Sequence, residues 1–177
     1  MNDVLKFWFE EISPKDWWVK NTDLDQKITE RFSLTHLQAS LGELFSWRKS
    51  PEGRLAEILV LDQFSRNMFR DDPRSFAYDS MALVLAQECV ALKLDQKLEV
   101  TKRKFIYMPY MHSESLVIHD QAIELFAQEG LEENLKFEHA HLDILHKFGR
   151  YPHRNKILGR KSTKEEIEFL KGPNSSF

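Results

Sequence analysis

Apolar residues recur along this chain at spacings of three and four, and no segment alternates apolar with polar for long, which predicts helices throughout and no strands. Leu5, Trp8, Phe9 and Ile12 place one apolar face on a first helix over residues 2–11, and Pro14 stops it. Trp17 and Trp18 dock the connecting turn. A second helix starts near Asp23, with Leu24, Ile28, Phe32 and Leu37 inward and Gly42 near its end. Ser50-Pro51 reads as an N-cap followed by proline at the first helical position, opening a third helix toward Phe69. Asp72-Pro73 repeats the device for a fourth, ending near Leu94. A shorter fifth lies between Leu98 and Met108, broken at Pro109. A sixth begins with Ser113 as cap and stops at Gly130, and a seventh stops at Gly149 with Lys147 in its last turn. Ser162 and Thr163 offer two overlapping capping boxes for a last helix ended by Gly172-Pro173. The expectation is an all-α chain of about eight helices forming a single domain over residues 1–177, with short links that favour antiparallel neighbours.

Composition changes this picture little. With 42% hydrophobic and 30% charged residues, the 177-residue chain can bury a core without disulfides or structural metal. The lone cysteine, Cys89, excludes a disulfide framework and any paired-cysteine zinc or redox site, and it suits a reducing compartment. No apolar run approaches the ~18 residues of a membrane span, and Asp3, Glu10 and Glu11 make the start unlike a signal peptide, so a cytoplasmic protein is expected. The 25 Lys and Arg against 28 Asp and Glu leave a net charge of −3, too balanced for the whole chain to bind nucleic acid or a membrane. There is no Gly-rich phosphate loop, nucleophile elbow or dinucleotide fingerprint, so neither a cofactor nor ATP chemistry is expected.

Helical projection separates solvated polar residues from those forced inside. In the third helix Leu55, Ile58 and Leu59 share an arc with Asp62, Arg66 and Phe69, while Val60, Leu61, Phe64 and Met68 occupy the other side. This helix is apolar nearly all round and should be central, so Asp62 and Arg66 face inward, four residues apart and able to pair. Burying two charges costs several kcal/mol per ion, which leaves two readings, a structural brace or the lining of a pocket for a polar ligand. In the seventh helix Phe137, Ile144, Leu145 and Phe148 set the inward arc with His141 near its middle. His139, Asp143 and His146 have the spacing of a metal face but point to solvent, and no metal site is expected. His112 and His119 point inward beside Leu116, Ile123 and Phe126 if the sixth helix holds both. His112-Ser113-Glu114 matches the His-x-Glu of zinc deaminases only superficially, because one cysteine cannot complete that ligand set.

From His146 to Lys164 the chain holds seven Lys or Arg and no acid. Arg150, His153, Arg154 and Asn155 follow a helix stop and flank Pro152, close enough to converge on one anion, and arginine forks match carboxylate and phosphate oxygens. Phe148 and Tyr151 are too few aromatics for the stacking platform of a nucleic-acid site.

The segments VLKFWF (4–9), LVLDQFSRNMFR (59–70), YMPYMHSE (107–114), HLDILHKFGRYPHRN (141–155) and LGRKSTKEEIEFL (158–170) together resemble a mostly bacterial family catalogued as domain of unknown function nine-two-four, described as TPR-like. The resemblance covers nearly the whole chain and implies antiparallel helix pairs in a short TPR-like superhelix or orthogonal bundle, although the 34-residue TPR period is not evident. Its motifs mark Asp62, Gln63, Arg66, Asn67, His112, Glu114, His141, Arg150, His153, Arg154 and Asn155. Two departures stand out: Ser65 where proline is frequent, and Asp71-Asp72 where a glycine is common, so the helix end there is expected to differ.

Three readings follow. In the first, a pocket between the third, sixth and seventh helices and the basic loop binds a small anionic molecule. Arg66, Arg150 and Arg154 hold it, and Asp62 or His141 is the general base of a hydrolase. In the second, the fold is a TPR-like interaction module for a protein or peptide partner, without catalysis. In the third, the polar motifs are interhelical hydrogen bonds that fix packing register.

Overall fold

The computed structural model describes residues 1–173 and Ser175, and every regular element among them is helical. Helix α1, Asn2–Lys6, runs on as a π-helical turn over Phe7–Glu11, followed by a 3₁₀ turn at Pro14–Trp18. Then come α2 (Thr22–Ser40), α3 (Pro51–Leu59), a π-helical turn Val60–Phe64 and α4 (Ser65–Met68), the last three forming one unbroken rod. There follow α5 (Asp79–Ala91), α6 (Val100–Met111), α7 (Leu116–Phe126), α8 (Glu132–Phe148) and α9 (Lys164–Phe169). None of these helices is long and apolar enough to cross a membrane.

Several termini follow their local chemistry. The Ser50 hydroxyl accepts from the Gly53 amide at 3.1 Å ahead of Pro51, Gly149 ends α8 at φ +69°, and Thr163 with Glu166 closes a reciprocal capping box on α9. The second expected box does not form, because the Ser162 hydroxyl accepts from Asn155 instead. Asp72 caps only a 3₁₀ turn at Pro73–Ser75, so the fourth helix starts later, at Asp79. Pro109 does not break its helix. Residues 105–111 of α6 are all buried, and that burial outweighs the roughly 3 kcal/mol a proline costs inside a helix. Nor does Ser113 open the next helix: α7 starts at Leu116, which leaves His112 at the C-terminal end of α6.

The 51–68 rod is central, packed on α1, α2, α5 and α6, with residues 53–65 all buried. Around its apolar faces lie Phe7, Trp8, Ile28, Phe32 and Phe105, while Trp18 of the N-terminal aromatic cluster remains half exposed. Two inward positions differ from projection. Along α2 the buried stripe advances in steps of four from Leu24 to Ile28, Phe32 and His36, so Leu37 is turned out to solvent. His36 meets the Ser65 hydroxyl at 2.8 Å, and that hydroxyl donates to the Leu61 carbonyl, contacts a proline at 65 could not make. In α8, Phe137 is exposed and its neighbour Glu138 is fully buried. Past α4 the chain turns at Asp71 with φ +63°, the left-handed conformation that a glycine adopts without cost.

Candidate functional site

The π turn at Val60–Phe64 lies in the middle of the central rod, and such turns locally widen a helix and re-aim its side chains. Asp62 sits in it, fully buried, and its carboxylate gathers three partners. His112 Nδ1 is 2.7 Å from Oδ1, Arg66 Nη1 is 3.0 Å from the same oxygen, and Gln63 Nε2 donates to Oδ2 at 2.6 Å. Burial alone would push the Asp62 carboxyl up. Arg66 and His112 more than reverse that and hold it well below the usual carboxylate range. Burial and the neighbouring Arg66 charge hold the His112 ring below its ordinary value, against the pull of Asp62. A ring kept neutral with Nδ1–H donated to a carboxylate presents Nε2 as its basic edge.

Arg66 also forks onto Asp79 in the first turn of α5, with contacts of 2.9 and 3.0 Å. Arg154, in a 3₁₀ turn at Pro152–Arg154, reaches the same carboxylate at 3.4 Å and donates to the His112 carbonyl at 2.9 Å. Its guanidinium is held between the rings of Phe76 and Tyr151, 4.6 and 4.7 Å from their centroids. Two arginines, two aspartates and one histidine from four stretches of chain thus form one continuous polar cluster. Its Arg66, Asp79 and His112 side chains retain 21%, 17% and 12% exposure, so the cluster is mostly buried with a small accessible part.

Tyr151 joins this cluster to a second layer. Its ring packs edge-on to His141 and stacks on His153, and its hydroxyl donates to the Met111 carbonyl at 2.7 Å. The hydroxyl also lies 3.1 Å from His119 Nε2, which faces the Ser113 carbonyl at 2.8 Å, while His119 Nδ1 bonds to the buried Glu138 carboxylate. His141 donates from Nδ1 to the Phe137 carbonyl, and burial pushes its pKa down to about 3; burial and Arg154 push His153 down to about 4. Glu114 accepts the Tyr151 amide and the fork of Arg160, whose other contact is the Tyr151 carbonyl.

Of the residues singled out by sequence, Asp62, Gln63, Arg66, His112 and Arg154 come together. His141, His153 and Glu114 stand around Tyr151 in the adjoining layer. Three lie elsewhere. Arg150 and Asn155 both bind Glu166 and anchor α9, and Asn67 with Arg70 binds Asp25 of α2. The run from 146 to 164 is therefore not a free basic surface, since Arg150, Arg154 and Arg160 each pair with an acid from outside it. Against Asp62 stands His112 rather than His141. His139, Asp143 and His146 are exposed, as projected. Glu138 shares the arc of His141 and Leu145, an inward place that an arc centred on Phe137 does not show. Asp79 and Tyr151 carried no signal, because their roles depend on tertiary contacts alone.

The model of a family described as bacterial protein of unknown function, DUF924, matches residues 4–174 of this chain. No curated protein matches it. The solved structure of a protein of unknown function, ATU0120, from Agrobacterium tumefaciens is similar over 97% of each chain, with 35% sequence identity and a TM-score of 0.92.

Proposed function

This chain belongs to the DUF924 family of bacterial proteins of unknown function, and we propose that it binds a small carboxylate- or phosphate-bearing molecule beside Asp62 and His112, with His112 as the general base of a hydrolase. The observation that carries this reading is the 2.7 Å contact of Asp62 Oδ1 with His112 Nδ1. In such a dyad the carboxylate fixes tautomer and orientation, and the far nitrogen takes a proton from water. Arg66 and Arg154 supply forks for the anion. Both now brace Asp79, and the ligand takes over part of that role. Asp79 tolerates the exchange because it is partly exposed and lies in the first turn of α5, where backbone amides favour negative charge. His141, buried beside Tyr151, serves as a wall of the site.

The test is hydrolysis of a panel of phosphate monoesters and carboxylate esters by the wild-type protein and His112→Asn. Loss of a general base lowers turnover by about 10²–10⁴-fold, which is the expected result for a substrate turned over at this site. Equal rates in both proteins would remove His112 from the chemistry.

One observation favours the interaction module as a second reading. Leu34, Leu37, Leu41 and Phe45 are each more than half exposed and line one side of α2 and the turn after it. Contiguous apolar surface of that kind marks partner sites. On this reading Leu37→Ser with Leu41→Ser abolishes partner binding and Arg154→Ala leaves it unchanged.

A further inference from the structure

An α-helix leaves its last carbonyls without intrahelical donors, and a glycine or water normally satisfies them. Helix α6 has no glycine at its end: His112 stands at the C-cap in right-handed conformation. Three successive carbonyls there are each taken by a side chain, two from about forty residues away and one from six residues on. Tyr151 donates to Met111 O at 2.7 Å, Arg154 to His112 O at 2.9 Å, and His119 to Ser113 O at 2.8 Å. Each donor is buried. The turn they build carries His112, and a small rotation of its backbone would swing Nδ1 away from Asp62.

Of these three donors, His119 is the one tied to a fully buried carboxylate. It and its partner Glu138 are completely buried, on α7 and α8, and the second Glu138 oxygen has no hydrogen-bond partner among the described residues. Packing alone would be served better by apolar residues of similar volume, because a buried ionisable pair seldom repays its desolvation, and an orphaned carboxylate oxygen adds to the cost. The pair's contact falls on the Ser113 carbonyl, one residue past His112. Partners behind a reactive imidazole commonly set its orientation and tautomer.

We infer that His119 and Glu138 are positioning residues for His112: by fixing the Ser113 carbonyl they hold the end of α6 so that Nδ1–H stays on Asp62 and Nε2 stays aimed outward. This rests on the reading of His112 as the base, but its readout needs no substrate. The experiment is nitrogen-15 imidazole spectroscopy of His112 through a pH titration in wild type, His119→Phe, His119→Gln and Glu138→Gln, with thermal melts confirming that each is folded. Wild type shows the Nδ1–H tautomer. His119→Phe, which offers Ser113 no donor, loses that signature and moves the His112 midpoint further below the ordinary value of ~6.5, because the ring gives up the Asp62 contact that pulls it up. His119→Gln, whose side-chain amide still donates, restores the wild-type pattern. A folded His119→Phe with unchanged His112 signals overturns the inference, as does a glutamine variant no closer to wild type than phenylalanine. Should His119→Phe fail to fold, Glu138→Gln decides: a shift of the same sign supports the pair, and an unchanged ring overturns it. A ring that responds in this way in a protein that turns over no ester and binds no anion would leave the positioning intact and remove the catalytic reading.

Discussion

Asp62 and His112 are fifty positions apart in sequence and 2.7 Å apart in space, joined from the middle of the central rod to the end of α6. The contact ties together a fully buried carboxylate, an imidazole and, through the same oxygen, the Arg66 guanidinium. Replacing Asp62 by asparagine removes the compensating charge while keeping the shape. Because unpairing a buried ion costs about 3–5 kcal/mol, Asp62→Asn should lower Tm by roughly 10 °C in a thermal melt near neutral pH. The same variant titrates differently in acid. The folded Asp62 carboxyl is depressed, so its stabilisation is present above the unfolded value of ~4 and is lost as pH falls toward the folded one. Between pH 4 and 2 the wild type should lose stability more steeply than Asp62→Asn.

The buried histidines give a second pH dependence at higher pH. His141 is pushed down to about 3 and His153 to about 4, and His36 and His112 are also lowered. Below the ordinary histidine value of ~6.5 the unfolded chain takes up protons that these folded sites refuse, so stability falls as pH drops from 7 to 5. Each such residue contributes on the order of 1.4 kcal/mol per pH unit. Melts over this range should show the fall, with a shallower slope in His141→Gln by about one residue's share.

Helix α5 ends in a left-handed residue that is not glycine. Lys93 has φ +55°, while the Leu94 amide donates to Cys89 O and the Lys93 amide to Val90 O, the hydrogen bonds of a helix-terminating turn. Lys93 is exposed, so nothing visible offsets the strain. Lys93→Gly should stabilise by about 1 kcal/mol, a rise of roughly 2–4 °C. Asp71→Gly should gain less, because aspartate tolerates that conformation better and its pair with Lys20 is solvent-exposed and weak.

Much of the fold was legible because helix ends are written locally: Ser50-Pro51, Gly149 and Thr163 through Glu166 each carry their own capping chemistry. The errors fall where tertiary packing overrode a local rule, as when burial of residues 105–111 carried α6 through Pro109. That one shift moved His112 from the start of a helix to the end of another. The inward placement of Asp62 and Arg66 was readable from the apolar surroundings of their helix. Their partners were not, since nothing in the sequence near Asp79 or Tyr151 says which arginine each will meet.

Ion pairs here should differ sharply in worth according to burial. Glu57 is fully buried and receives both nitrogens of the Arg48 fork at 2.7 Å, whereas Glu11 and Arg31 meet in solvent. Arg48→Met leaves a buried carboxylate unpaired and should cost about 3–5 kcal/mol; Arg31→Met should cost under about 1 kcal/mol. Urea denaturation of the two variants side by side checks the contrast.

The central claim is that the cluster around Asp62 and His112 receives a small anion. It is tested most directly by thermal shift of wild type and Arg154→Ala against inorganic phosphate, phosphate monoesters and small carboxylates. A ligand at about 100 times its Kd adds ~2.7 kcal/mol, or roughly 5–10 °C for a chain of this length. The account predicts such a rise for at least one anion in the wild type and its loss in Arg154→Ala. An equal rise in both proteins, or none with any anion in either, would contradict it.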